Sequence, residues 1–219
     1  MNAPTTLSFL TQQPRPAQPQ SLLLLLHGVG ANETSLAGLA PGIGAQTLVI
    51  LPRGPLTLGP GQHAWFQVQF SSEGPRINAA QAESSRLQLI DFVRQLQAEY
   101  QIAPAHTLIA GFSQGGIMSA SVALTAPDVV GAFAILSGRI LPELAPHLAD
   151  KAQLAHLQAF VAHGEYDRTL PVDWAHRSDQ LLTELGVPHQ QRLYPMDHSI
   201  GPATQQDFLQ WAQQFLLAR

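Results

Sequence analysis

Short apolar runs alternate along this chain with segments in which apolar residues recur at helical spacing. The longest aliphatic run, at residues 22–26, consists of five leucines and predicts a strand that is buried on both faces of a sheet. Other strands are predicted at residues 6–10, 47–51, 107–110, 129–136, 157–162 and 189–194. Helices are predicted at residues 35–43, 78–100, 114–125, 172–185 and 202–217. The pattern is typical of an α/β domain, in which helices cover both faces of a mostly parallel central sheet.

Composition favours one globular domain over residues 1–219, because 45% of the residues are hydrophobic and only 12% are charged. The formal net charge is −4, and the basic residues form no run. A basic surface for nucleic acid or anionic membrane is therefore not expected, and a small molecule is the predicted partner. The chain carries no signal of its oligomeric state.

The chain has no cysteine, which excludes disulfides, thiol catalysis and thiolate metal sites. The leucine run at residues 22–26 is too short to cross a bilayer, and residues 1–6 contain no basic residue. We therefore expect no stable membrane insertion and a cytoplasmic location.

A serine stands where the strand at residues 107–110 turns into the helix at residues 114–125. Ser113 lies between Gly111 and Gly115 in a G-x-S-x-G pattern, which in this context predicts a nucleophile elbow. Glycine is expected at both positions because the turn strains the backbone and brings strand and helix close together, so a Cβ on either side would obstruct it. In the alternative interpretation the serine only caps the helix.

An activated serine needs a histidine to take its proton and an acid to orient that histidine. On open α/β sheets these groups collect at the carboxyl ends of strands, in the chain order serine, acid, histidine. Of the nine histidines, only His198 follows the last predicted strand. Asp167 follows the strand at residues 157–162 and is the candidate acid, with Glu165 and Asp197 as alternatives.

The developing oxyanion needs two hydrogen-bond donors. One is expected from the backbone N–H of Gln114, which lies at the N-terminus of a helix. The other candidate is the N–H of Val29, in the glycine-containing exit of the leucine-rich strand. The alternative is a strand exit without a chemical role. A nucleotide-binding loop is not expected, because no Gly-Lys-Ser/Thr follows.

Residues 53–75 form a Gly/Pro-rich stretch that predicts a long loop, and loops of this length are usually functional or disordered. Trp65 and Phe66 in this loop are candidates for contact with an acyl chain. The alternative is that the rings anchor the loop by packing. Four other residues are candidates for further apolar wall: Leu56, Leu58, Ile140 and Leu141.

These segments resemble the phospholipase/carboxylesterase family of α/β-hydrolases, which includes acyl-protein thioesterases and small bacterial carboxylesterases. The likeness spans nearly the whole chain. It rests on residues 26–30, 65–66, 111–116 and 163–167, with Pro171 behind the last of these, and on His198. The resemblance implies an α/β-hydrolase fold without a large cap domain. It also implies Ser113, Asp167 and His198 as the triad and Val29 and Gln114 as oxyanion donors.

The chain departs from the family pattern at two places. Residues 195–197 read Pro-Met-Asp where relatives often have glycines, and Gln67 stands where acyl-protein thioesterases often have aspartate. The small bacterial esterase branch therefore fits better. We predict a cofactor-independent serine hydrolase that cleaves esters, with thioesters as a second substrate class, of small or medium acyl chains. Alternatives are an acyl-protein thioesterase or lysophospholipase, a lyase or peptidase, and a non-catalytic ligand-binding protein on the same fold.

Overall fold

Eleven strands are present in the part of the chain that the computed structural model describes, residues 7–71 and 74–217. In chain order they are β1 (Phe9–Thr11), β2 (Ser21–Leu26), β3 (Thr47–Pro52), β4 (Leu56–Gly59), β5 (Gln62–Ala64), β6 (Val68–Ser71), β7 (Gly74–Ile77), β8 (Thr107–Phe112), β9 (Ala132–Leu136), β10 (Gln158–Gly164) and β11 (His189–Tyr194). Seven strands form one sheet in the order β1-β3-β2-β8-β9-β10-β11. Only β1 runs antiparallel to its neighbour in this sheet, so the carboxyl ends of the other six lie along one edge.

Five α-helices surround the sheet in these residues. They are α1 (Ala79–Tyr100), α2 (Gln114–Thr125), α3 (Lys151–Leu154), α4 (Asp173–Leu185) and α5 (Pro202–Leu217). Shorter 3₁₀ turns occur at Ala37–Gly42, Pro104–His106 and Pro142–His147. Within the described residues, no helix is long and apolar enough to cross a membrane.

The leucine-rich strand β2 lies inside the sheet, and its side chains alternate between two hydrophobic clusters. Leu22 and Leu24 pack into the cluster that includes residues of α1, α2 and α4. Leu23 and Leu25 point to the opposite face, where α5 and the turn at Ala37–Gly42 cover the sheet. Both faces of β2 are therefore buried, which confirms the predicted buried strand and the predicted placement of helices on both faces of the sheet.

Most predicted elements are present with small changes at their ends. The bounds of α2, α5 and β11 are those predicted. Helix α1 begins one residue later than predicted because Asn78 caps it, accepting a hydrogen bond from the Gln81 N–H at 3.1 Å. Helix α4 ends at Leu185, as predicted, and is capped by Gly186, whose φ of 74° lies in the left-handed region. In the predicted first strand, residue 6 lies outside the described residues, and β1 begins at Phe9.

The structure corrects the prediction of one long loop at residues 53–75. The structure places two antiparallel hairpins here, β4 with β5 and β6 with β7. Their strands have only three or four residues each, too few for a pattern of alternating burial to stand out among glycines and prolines. The short helix predicted at residues 35–43 is instead the 3₁₀ turn at Ala37–Gly42, which contains Pro41.

Candidate active site

Ser113 occupies a strained turn between β8 and α2. Its φ of 53° and ψ of −116° are unusual for a residue with a side chain, and its N–H donates to the Leu136 carbonyl at 2.8 Å. A Cβ on Gly111 would lie 2.3 Å from the Gly115 carbonyl carbon, and one on Gly115 would lie 2.0 Å from the Leu26 oxygen. Glycine at both positions is therefore a requirement of this turn, as the motif predicted.

The His198 ring lies between Ser113 and Asp167. Its Nδ1 is 2.6 Å from Asp167 Oδ2, and its Nε2 is 2.9 Å from Ser113 Oγ. An ionised carboxylate can only accept a hydrogen bond, so Nδ1–H donates to Asp167. Nε2 is then left to accept from the serine hydroxyl, which is the tautomer that a general base requires.

The Asp167 carboxylate is held from several directions. Its Oδ1 accepts from the backbone N–H groups of Thr169 at 2.9 Å and Leu170 at 2.8 Å. Its Oδ2 faces His198, and the side chain is fully buried. In the described part of the chain, the ring of His198 meets this carboxylate and not that of Glu165 or Asp197. The contact favours Asp167 among the three acids that the sequence left open.

A second histidine lies against the same carboxylate. His163 Nε2 is 2.7 Å from the Leu170 carbonyl and 3.3 Å from Asp167 Oδ2. Because a carbonyl only accepts, Nε2 carries the ring proton. Burial lowers the pKa of His163, so the ring is held neutral. Its Nδ1 is buried and has no hydrogen-bond partner among the described residues.

The loop that carries His198 is held closely against the end of β10. A Cβ on Gly164 would lie 2.3 Å from the Asp197 oxygen and 2.4 Å from the Met196 oxygen. The Tyr166 N–H donates to the same Met196 oxygen at 3.0 Å. The glycine of the segment at residues 163–167 therefore lets the histidine loop approach, although no glycine precedes His198 in the loop itself.

Val29 and Gln114, the expected oxyanion donors, both line the cavity that contains Ser113. Over residues 7–71 and 74–217, neither backbone N–H donates to another protein group. The two N–H groups therefore have free hydrogen-bonding capacity in the same cavity as the serine hydroxyl.

The turn after β2 is fixed by two side-chain interactions. His27 Nδ1–H donates to the Gly28 carbonyl at 2.7 Å, and its Nε2 accepts from the Gly54 N–H at 2.9 Å. Burial lowers the pKa of His27, which keeps this ring neutral. Further along, Glu33 Oε2 accepts from Arg53 Nε at 2.8 Å, and this pairing lowers the pKa of Glu33 to about 2. The contact of His27 with Gly54 and that of Glu33 with Arg53 join the turn to the segment that follows β3.

The Gln114 side chain ties the hairpin region to α2. Its Oε1 accepts from the Trp65 N–H at 2.7 Å, and its Nε2 donates to the Phe66 carbonyl at 2.7 Å. Gln114 therefore has two separate tasks: its side chain holds the backbone at residues 65–66, while its own N–H stays in the cavity.

A cavity of about 500 Å³ opens beside Ser113. Its apolar wall consists of Val29, Leu36, Phe66, Val68, Ile77, Phe112, Ile117, Leu170 and Ile200. The polar lining includes Ser113, His198, Thr169, Ser199 and Arg139. The wall is thus assembled from the hairpin at β6–β7, from the end of β8 and the first turn of α2, and from loops at the carboxyl ends of the strands.

The structure brings Phe66 to this cavity but not Trp65. The Trp65 ring is fully buried, and its Nε1–H donates to the His27 carbonyl at 3.0 Å. This corrects the expectation for Trp65, which anchors the loop as in the alternative interpretation. The other wall candidates also lie elsewhere, since the cavity lining does not include Leu56, Leu58, Ile140 or Leu141.

Sequence reasoning missed Arg139, a buried side chain in the cavity lining. A signal was present, because Arg139 follows β9 at the same edge of the sheet as Ser113 and Asp167. Among the described residues, no group of three or more His, Cys, Asp or Glu side chains is placed to hold a metal ion.

A mostly parallel sheet with a serine at a sharp strand-to-helix turn, an acid after a later strand and a histidine after the last one defines an α/β-hydrolase. Residues 10–218 match the model of the phospholipase/carboxylesterase family, and the chain belongs to this family. It is therefore a hydrolase of the carboxylesterase and acyl-protein thioesterase type. The resemblance stated from the sequence is confirmed.

Relatives with similar sequences include a protein named as an esterase and a protein named as an acyl-protein thioesterase. Esterase YpfH of Escherichia coli strain K12 is 30% identical over 184 residues, which cover 81% of this chain and 75% of that protein. Acyl-protein thioesterase 1 of Kluyveromyces lactis is 27% identical over 172 residues, covering 72% of this chain and 75% of the relative.

Solved structures show the same fold at lower identity. The crystal structure of esterase PE8 has a TM-score of 0.84 and 23% identity, covering 96% of this chain and 100% of that one. The Bacillus cereus carboxylesterase has a TM-score of 0.82 and 19% identity, covering 96% of this chain and 95% of the other. These similarities confirm the predicted α/β-hydrolase fold.

Proposed function

We propose that this chain is a serine hydrolase that cleaves carboxylic esters through Ser113, His198 and Asp167. The observation that carries the proposal is the continuous hydrogen-bond chain from Ser113 Oγ through both His198 nitrogens to Asp167 Oδ2. In this proposal residues 1–219 act as one domain without metal or organic cofactor, and a cytoplasmic location stays a prediction.

The first half of the reaction forms an acyl-enzyme. His198 Nε2 takes the hydroxyl proton while Ser113 Oγ attacks the ester carbonyl carbon. The oxyanion accepts hydrogen bonds from the N–H groups of Val29 and Gln114, whose capacity is free in this cavity. His198 then donates the proton to the leaving alcohol. Asp167 keeps the imidazole in the required tautomer and stabilises its charged form.

The second half repeats the proton transfers with water. His198 accepts a proton from a water molecule, whose oxygen attacks the acyl carbon of the intermediate. Collapse of the second tetrahedral intermediate returns the proton to Ser113 Oγ and releases the carboxylic acid. The same two backbone donors serve both oxyanions, so no rearrangement of the cavity is required.

The cavity supports acyl groups of small or medium size. Its volume of about 500 Å³ lies within the range of small-molecule pockets, and Phe66 and Ile117 contribute to a mainly apolar wall. Thioesters are the second candidate substrates, because the Kluyveromyces lactis relative is named acyl-protein thioesterase 1. A series of p-nitrophenyl esters and matched thioesters of graded chain length is expected to give highest kcat/KM at small or medium length.

The nucleophile is tested by substitution at Ser113. Ser113→Ala is expected to lower kcat for p-nitrophenyl butyrate by at least about 10³-fold and to abolish labelling by a fluorophosphonate probe. Ser84→Ala, at an exposed position in α1, is the matched control and is expected to keep both signals. Equal hydrolysis by the Ser113→Ala and wild-type proteins would contradict the proposal, and absence of any labelling would favour a non-catalytic ligand-binding protein.

A further inference from the structure

Arg139 lies in the turn after β9, close to the proposed nucleophile Ser113. It directly follows Gly138, where a Cβ would lie only 2.9 Å from the Ser113 carbonyl oxygen. The preceding Ser137 has a φ of 50°, and its N–H donates to the Ala162 carbonyl at 2.7 Å, which fixes the turn after β9. The residue before Arg139 therefore lies against the backbone of Ser113, and Arg139 lines the same cavity as Ser113.

The charge of Arg139 has no counterion close by. Arg139 is only 6% exposed, its Nε has no hydrogen-bond partner, and its guanidinium forms no ion pair within the described residues. Burial lowers the pKa of Arg139, and the more distant Glu143 carboxylate acts in the opposite direction. The guanidinium instead stacks on the Trp174 ring, 4.3 Å from its centroid.

An unpaired charge in a mainly apolar cavity is costly. Burying an ionised group without a partner is strongly unfavourable, and a cation–π contact offsets only part of that cost. An apolar acyl chain gives the guanidinium no partner either. A carboxylate or phosphate would, because the planar guanidinium donates charge-assisted hydrogen bonds to both in fork geometry.

We propose that Arg139 binds an anionic group on the substrate, so that the preferred substrates are esters with a carboxylate or phosphate on the same molecule as the scissile carbonyl. This inference rests on the proposed ester hydrolysis at Ser113 and names its substrate class. The ester group lies at Ser113, the hydrocarbon linker crosses the apolar wall, and the anion pairs with the guanidinium above Trp174.

The test compares two esters that share one scissile bond. One is the p-nitrophenyl monoester of adipic acid, which carries a free carboxylate, and the other is its methyl-capped, neutral counterpart. The measured quantity is the ratio of kcat/KM for the anionic ester to that for the neutral ester. A ratio does not depend on the fraction of folded enzyme, so partial unfolding of a variant does not distort it.

Arg139→Gln is expected to lower this ratio at least about tenfold, because the variant removes the only charge assigned to the anion. Arg177→Gln is the matched control: Arg177 stacks on the same Trp174 ring at 4.8 Å but is exposed and not part of the cavity lining. The control is expected to keep the wild-type ratio. A ratio unchanged by Arg139→Gln would overturn the inference.

A third ester, with a phosphonate in place of the carboxylate, identifies the anion. The ester whose rate falls more on Arg139→Gln carries the preferred group, and equal loss assigns both anions to Arg139. Adipate should also inhibit hydrolysis of the neutral ester by the wild-type enzyme more strongly than adipamide does. Equal inhibition by the two would overturn the inference even if Arg139→Gln failed to fold. Failure of the proposed function is distinguishable, since the wild-type protein would then hydrolyse neither ester in a Ser113-dependent manner.

Discussion

At the scale of single residues, the acid of the site is the most closely fixed group. Both oxygens of Asp167 have donors: two backbone N–H groups at Oδ1 and the ring of His198 at Oδ2. Because all of these groups donate, they suit a carboxylate, which accepts hydrogen bonds at both oxygens. A group that must also donate cannot satisfy this environment.

Asp167→Asn is therefore expected to lower kcat for p-nitrophenyl butyrate by about 10³ to 10⁴-fold. With the amide oxygen facing the two backbone donors, the NH₂ group faces His198 Nδ1 and selects the tautomer whose Nε2 already carries a proton. That ring cannot accept the Ser113 proton. The measurement is kcat at matched protein purity. The control is Asp197→Asn, because Asp197 adjoins His198 in sequence but forms no hydrogen bond with its ring within the described residues. A similar loss in both variants would contradict this assignment.

Chain order predicted which side chains come together at the sheet edge, but it did not predict the direction in which a side chain points. His198 and Asp167 were candidates because their positions after strands bring them to one edge of the sheet, where the structure places them next to each other. Trp65 and Phe66 are adjacent in sequence, yet one ring packs under the His27 turn and the other faces the cavity. No sequence pattern distinguishes the two directions in a short irregular segment, because the Gln114 side chain that fixes it lies 48 to 49 residues further along the chain.

At the scale of elements, the elbow between β8 and α2 stores backbone strain at Ser113. Ser113→Gly relieves the unfavourable φ of 53°, whereas Ser113→Ala keeps the Cβ that causes it. Glycine also adds freedom to the unfolded chain, so the expected net gain over Ser113→Ala is up to about 1 kcal/mol in the free energy of unfolding. Urea denaturation of the two inactive variants measures it. A glycine variant no more stable than the alanine variant would contradict this prediction, because the strain relieved would then not exceed the entropy that glycine adds to the unfolded chain.

Element bounds were predictable where the local sequence carries its own signals. Helix α4 is capped by a glycine with a left-handed backbone, and the bounds of α2 follow from the elbow before it and Pro127 after it. The hairpins at β4–β7 lack such signals. They are held by distant partners, including the contact of Gln114 with residues 65–66, and this information is not local.

At the scale of the whole molecule, two neutral histidines make stability depend on pH. Burial lowers the pKa of both His27 and His163 in the folded chain, below the value of about 6.5 expected in the unfolded chain. The unfolded chain then binds more protons below pH of about 6.5, so stability is full above that pH and falls as the pH drops towards the lowered folded values.

The free energy of unfolding, measured by urea denaturation between roughly pH 8 and pH 5, is therefore expected to decrease on the acid side. Replacing His163 by Gln keeps a donor for the Leu170 carbonyl but removes one titrating group. The pH dependence should become shallower in this variant, whatever its stability at pH 8. An identical slope in wild type and His163→Gln would show that His163 does not contribute.

The architecture was predictable from sequence because two-sided burial of strands and the order of elements restrict an α/β chain to few arrangements. The cavity was not. Its wall draws side chains from well-separated segments, such as Leu36, Ile77, Ile117 and Ile200, and no local pattern relates them.

The hairpin β6–β7 contributes Val68 and Ile77 to the cavity but no strand to the seven-stranded sheet. The neighbouring residues 65–66 are attached to α2 through backbone atoms, so this attachment is independent of which side chains the hairpin carries. Substitutions at Val68 therefore change the cavity wall without changing these backbone contacts, whereas Ile77 also packs against the hydrophobic core. The fold separates the part of the molecule on which selection for new substrates can act from the part that performs the chemistry.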